Sequence, residues 1–211
     1  MKTDDLIAAL ATHAGPAPRA VVARRLGPAM LFGVLASAAL SLAILGPVSD
    51  PALPGVELWI KLFYAAAFAA GAAWLTGRLS RPAARPTSAA VAVVGVTLVM
   101  VAAGSISLIP VEPENRLAYA LGHSWAMCPW AVFGLSLPAL AATLWAVRGL
   151  APTRPCAAGL AAGLLAGAAG AAGYALHCVE QSTLFIAIWY TLGFALCGAL
   201  GAVLGPRVLR W

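Results

Sequence analysis

Apolar residues fall into six long runs separated by short polar loops, with one polar segment ahead of them. The runs are about Pro28–Leu45, Leu58–Thr76, Ser88–Leu108, Leu121–Val147, Cys156–Leu176 and Thr183–Leu204. Each is close to the ~20 residues that carry an α-helix across a hydrocarbon core. In lipid the backbone must satisfy its own hydrogen bonds, which segments of this length and hydrophobicity do as helices. The pattern predicts an all-α integral membrane bundle of six transmembrane helices. Residues 1–26 form an N-terminal segment, 27–205 the membrane domain and 206–211 a tail. No run copies another. Pro129 and Pro138 fall inside the fourth and predict bends there. Gly159, Gly163 and Gly167 recur at every fourth position of the fifth run, and Gly201 and Gly205 on the sixth. Such small-residue stripes let helices touch closely, within one chain or between two copies in a homodimer.

The N-terminal segment begins MKTDDLIAAL. Thr3 caps a short helix whose first turn carries Asp4 and Asp5, where carboxylates oppose the helix dipole. Leu6, Ile7 and Leu10 share one face, and Gly15-Pro16-Ala17-Pro18 stops the helix. About ten residues make only a marginal helix in water. An apolar face on such a tether wants a partner or a membrane surface.

Composition agrees with burial in lipid. The chain is 62% hydrophobic and 9% charged, against about 25% charged in soluble domains. Its net charge of +6 is distributed by loop. All basic residues except Lys61 and Arg116 lie in the N-terminal segment, the second and fourth loops or the tail. The positive-inside rule therefore places both termini in the cytoplasm. The outer loops carry Asp50, Glu57, Glu112, Glu114 and Glu180. This arrangement reports orientation and attraction to headgroups, not direct binding of nucleic acid. Arg24-Arg25 before the first run reads as its cytoplasmic anchor, not as a cleaved signal. Lys61 reads as a local partner of Glu57 or as a snorkelling side chain. The loops are too short for a domain, which argues against catalysis on a large soluble substrate.

The candidate chemistry lies between Leu121 and Tyr190. With this orientation, His123 and Cys128 sit near the outer end of the fourth span, and His177 and Cys178 at the outer end of the fifth. Cys156 and Cys197 lie toward the cytoplasm, so Cys128 and Cys178 are the natural mates. There is no CxxC, which argues against a zinc knuckle or a thioredoxin-like pair. Two thiolates with one or two imidazoles suit a transient soft or borderline ion such as copper, cadmium or zinc. In an oxidising compartment the thiols can also form a disulfide. His123 and Cys128 are five residues apart and do not share a helical face. His123 and Trp125 also read as interfacial anchors.

The N-terminal MKTDDLIAAL, the six spans, a cysteine in the fourth span and a His177-Cys178 pair followed by a span bearing Trp189 together resemble the NrsF-type polytopic anti-sigma factors of proteobacteria. The resemblance covers essentially the whole chain. It implies a protein of the bacterial inner membrane that is not an enzyme. Such a protein holds an extracytoplasmic-function sigma factor and releases it under heavy-metal stress. By position, Cys128 and Cys178 are the outward-facing cysteines needed for the response, and Asp4, Asp5, Leu6, Ile7 and Leu10 the sigma contacts. No His-x3-Cys-x2-Cys zinc-binding anti-sigma motif is present. Two alternatives remain at this point, a membrane thiol–disulfide oxidoreductase and a small metal transporter. The first lacks a vicinal or CxxC pair, and the second lacks polar groups at the midplane.

Overall fold

The computed structural model describes residues 3–13, 20–46, 55–81, 84–150 and 152–210. Among these every regular element is a helix: α1 (Thr3–His13), α2 (Val21–Leu45), α3 (Val56–Leu79), α4 (Thr87–Ile106), α5 (Arg116–Leu121), α6 (Cys128–Arg148), α7 (Pro155–Tyr174) and α8 (Thr183–Val208). All but α1 and α5 are long and apolar enough to cross a bilayer, as the hydropathy pattern predicts. The spans alternate in direction, so the start of α2 and the end of α8 share one face of the bundle. Of the described cations, Arg24, Arg25, Arg78, Arg81, Arg85, Arg148, Arg154, Arg207 and Arg210 lie at this basic end. Glu57, Glu112, Glu114 and Glu180 lie at the other. Exposed tryptophans mark both ends, Trp74 and Trp145 at the basic one and Trp59, Trp125 and Trp130 at the acidic one. That is the distribution of interfacial belts.

Three boundaries differ from the hydropathy reading. α2 starts at Val21, so Arg24 and Arg25 ride on its first turns, exposed, instead of preceding it. α8 likewise runs past Pro206 and Arg207 to Val208. Long cationic side chains lie along apolar surface with their heads in water, so a helix outlasts the hydropathy that reveals it. The fourth run, expected from Leu121, is broken: α5 ends there, residues 122–127 form turns, and α6 starts at Cys128. Pro129 thus occupies the first turn of α6, where an N–H has no partner to lose and the ring causes no bend. Pro138 is inside the helix. The Gly15–Pro18 stop, Asp50 and the prolines at 47, 51 and 54 lie outside the described residues.

α7 is the centre, packing on α8, α6, α3 and α2. It is built almost entirely from alanine, glycine and leucine, and its neighbours approach to backbone contact. A methyl placed on Gly159 would stand 2.1 Å from Gly201 O, and one on Gly163 would stand 2.3 Å from Cys197 O, both on α8. Gly170 meets Val132 O of α6 at 2.6 Å, and Gly173 the backbone of Ser37 on α2 at 2.6 Å. The stripe is therefore used inside the chain. Ser37 Oγ donates to Leu135 O at 2.7 Å, and Gly33 lies against Ala139, which together bind α2 to α6.

Gly163→Ala should cost about 1–3 kcal/mol of stability through overpacking against backbone that cannot turn aside. Gly95→Ala, where nothing lies within 4 Å, should be neutral or stabilising by up to about 1 kcal/mol. Thermal unfolding of the two variants in one detergent checks this; equal midpoints would contradict the packing described.

Candidate metal or redox site

Four spans meet at the acidic end. α6 starts there with Cys128. α7 ends there with Tyr174 and hands on to His177, Cys178 and Glu180. α3 contributes Lys61, just over one turn from its start, and α8 contributes Tyr190. Cys128 is fully buried and Cys178 is 5% exposed. Both are free thiols, and they are neighbours in the site. The structure thus brings together the two cysteines that spacing paired. Cys156 is exposed and Cys197 buried on α8, each toward the basic end.

The thiols sit among polar groups that hydropathy conceals. Tyr174 lies beside Cys128 and Ser124. The Tyr190 ring is 6.0 Å from that of Tyr174. Its hydroxyl is buried beside both sulfurs and makes no well-formed hydrogen bond among the described residues. A buried hydroxyl in that condition costs about 1–3 kcal/mol, which a ligand or a rearrangement of the site can recover.

Lys61 is 3% exposed, and its ammonium donates to Cys178 O at 2.5 Å. It neither pairs with Glu57 nor snorkels to water, as the sequence suggested. The Glu57 carboxylate folds back toward Gly55, and the lysine tip turns into the bundle. Glu180 is 6% exposed and holds the turn ahead of α6. Its Oε1 accepts from His123 N at 2.7 Å, Ser124 N at 2.9 Å and Ser124 Oγ at 3.0 Å. That turn requires Gly122, which has φ +61° and no room for a side chain. A Cβ there would meet Glu180 Oε2 and Phe185 Cδ2 at 2.6 Å.

The two histidines part company. His123 is exposed, and only its backbone N–H is tied to the site. His177 packs on Tyr174 at 6.1 Å, and its Nδ1 is 3.0 Å from Gly46 O, just beyond α2. A carbonyl can only accept, so Nδ1 carries a proton in this hydrogen bond. Among the described residues no three His, Cys, Asp or Glu side chains converge as a metal set. The site as it stands is a thiol pair with His177 at its edge.

Lys61 had a signal in the sequence, since a lysine within an apolar span is rare and marks buried chemistry by default. Glu180, two residues beyond Cys178, had a weaker one. Tyr174 and Tyr190 had none. At the other end of the chain, Asp4, Asp5 and Ile7 are exposed on α1. The side chains of Leu6 and Leu10 lie outside the described residues.

Glu180→Ala leaves three part-buried donors without their acceptor and should loosen the turn that covers Cys128. N-ethylmaleimide in isolated membranes should modify Cys156 first in the parent. In the variant, Cys128 should react faster by about tenfold, the equivalent of one lost hydrogen bond. Unchanged Cys128 labelling would show that Glu180 does not guard the thiols.

Sequence comparison adds to this geometry. Residues 10–211 match the family described as NrsF, negative regulator of sigma F. A protein of Azospira oryzae named probable anti-sigma-F factor NrsF is 40% identical over 213 residues, covering 100% of both chains. The anti-sigma-F factor NrsF of Caulobacter vibrioides is 38% identical over 218 residues, again covering 100% of both. No solved structure matches.

Proposed function

The chain belongs to the NrsF family, the negative regulators of sigma F, and from that premise we propose that it is an anti-sigma factor of the bacterial inner membrane. The family is one of regulators and not enzymes, which sets aside the oxidoreductase alternative. In this reading both termini face the cytoplasm, supported by the gathering of the arginines at one end of the bundle. Residues 1–26 hold an extracytoplasmic-function sigma factor. α1 supplies the docking helix, with Asp4 and Asp5 on its first turn and Leu6, Ile7 and Leu10 on one face, laid into a groove of the partner.

The sensing half rests on one observation: two free, buried thiols, one at the start of α6 and one just beyond α7, are neighbours beside an unsatisfied hydroxyl. Such a pair fits a soft ion. Copper(I), content with two sulfurs, suits it as it stands, whereas zinc or cadmium in four-coordinate geometry requires further donors. His177, adjacent to Cys178, and Glu180, beside Cys128, are the candidates. Through the Nδ1–H bond to Gly46 O, any pull on the ring reaches the end of α2. α2 then crosses the bundle to the segment that holds the sigma factor. Release follows only if the ion binds the releasing arrangement more tightly than the holding one.

Co-purification of the membrane-extracted protein with sigma factors of its own cells tests this. The full chain should bring down a sigma factor, and a chain lacking residues 1–12 should not. Copper or cadmium should lower the yield at least about tenfold, a coupling near 1.4 kcal/mol. Cys128→Ser with Cys178→Ser should keep the partner bound regardless of metal. Metal-induced release in that double variant would remove the sensor assignment, and absence of any bound sigma factor would remove the anti-sigma mechanism.

A further inference from the structure

Two grooves open at the basic end of the bundle, one on each side of α2. The first, about 550 Å³, lies between α2 and α3, walled by Leu26, Met30, Ala73 and Trp74 and edged by Arg78 and Arg81. The second, about 580 Å³, lies between α2 and α6, walled by Ala29, Phe32 and Trp145 and edged by Arg24 and Arg25. The gaps follow from the packing. α2 and α3 both lean on α7, and α2 approaches α3 where Val22 meets Gly77. Arg78 Nε is buried without a hydrogen-bond partner among the described residues.

Each groove repeats the same chemistry. Its floor and walls are apolar, a tryptophan stands near its upper edge, and two guanidinium groups close the end toward the basic face. Tryptophan marks the headgroup level. Guanidinium pairs take phosphate oxygens bidentately, and basic pockets between spans on the cytoplasmic side hold anionic headgroups. A free phosphate would satisfy the arginines and leave the apolar walls bare. A zwitterionic lipid would cover the walls while carrying a cation to the arginines. We propose that each groove seats an anionic phospholipid of the cytoplasmic leaflet, its acyl chains against α2 and its phosphate on the arginine pair. The two lipids then complete the packing of α2 on both sides. The choice of leaflet rests on the orientation proposed above; the binding itself does not.

The experiment uses the full chain, stripped of lipid in a neutral detergent, titrated with phosphatidylglycerol or phosphatidylcholine and read by native mass spectrometry. Two phosphatidylglycerol molecules should be retained at concentrations where phosphatidylcholine is not. Arg78→Gln with Arg81→Gln should weaken one site, and Arg24→Gln with Arg25→Gln the other, each roughly tenfold. Arg116→Gln, at the opposite end, should change neither. Should an arginine variant fail to fold, the parent still reports. Dibrominated phosphatidylglycerol should quench tryptophan fluorescence more than dibrominated phosphatidylcholine, with the excess lost in Trp74→Phe with Trp145→Phe. Equal retention of the two lipids, wild-type binding by the glutamine variants, displacement by inorganic phosphate, or binding only after removal of residues 1–12 would each overturn the proposal. The last would make α1 the occupant. A reporter fused to the C-terminus tests orientation separately, and its failure leaves the detergent result standing.

Discussion

The close approach of backbones along α7 is the constraint on which the rest depends. In lipid no hydrophobic force draws one apolar helix to another, so association rests on van der Waals fit and a few hydrogen bonds. α7 meets that condition by having almost no side chains to interpose. Its glycines present one line to α8 at Gly159 and Gly163 and another to α6 and α2 at Gly170 and Gly173. A helix gripped on several sides has its register set to a fraction of a turn. That register decides where Tyr174, His177 and Cys178 emerge, and so decides that Cys178 meets Cys128.

The polar cluster at that end is the counterweight. Lys61 and Glu180 are buried charged residues, Tyr190 carries an unsatisfied hydroxyl, and both thiols are shielded from water. Burying such groups lowers stability unless each is paired, and here the pairing is partial and runs through backbone. Lys61 holds the carbonyl of Cys178, Glu180 holds the amides of His123 and Ser124, and His177 holds the carbonyl of Gly46. Each bond joins a different span or loop to the thiols. A change at the sulfurs cannot be absorbed locally, because the atoms that would relax are those that fasten α2, α3 and the turn before α6.

Much of this was legible before any coordinates, and the parts that were not share a cause. Six spans, the glycine stripe and the pairing of Cys128 with Cys178 all follow from periodicity and from the alternation of spans, which are properties of whole helices. The misplaced starts of α2 and α6 were not legible, because arginine stems extend a helix past its hydropathy and because one glycine in a left-handed conformation splits an apolar run. For Lys61 the sequence offers only local readings, a pair with Glu57 or a side chain that snorkels to water. Its actual partner is more than a hundred positions away, and only the register of α3 against α7 brings them together. The tyrosines around the thiols look in sequence like any other apolar residues of a span. The sigma contacts proposed on α1 and the role proposed for the thiols come from resemblance to a family and not from periodicity.

α2 links the thiol end of the bundle to its basic end. Gly46, at its acidic end, receives the His177 ring, and Ser37 and Gly33 fasten its middle to α7 and α6. Its basic end carries Arg24 and Arg25 and leads back toward α1. It is also less enclosed than α7, with Leu31, Phe32, Leu35 and Ile44 exposed, and two grooves where another helix might have filled the space are open. α2 is thus fastened at its acidic end and at mid-membrane and is open on both sides only at its basic end. Under the sensing role proposed for the thiols, a displacement at Gly46 would be carried to Arg24 by α2 as one body, without a chain of rearranged side chains through the bundle. The lipids proposed for the two grooves would bear on that same end of α2.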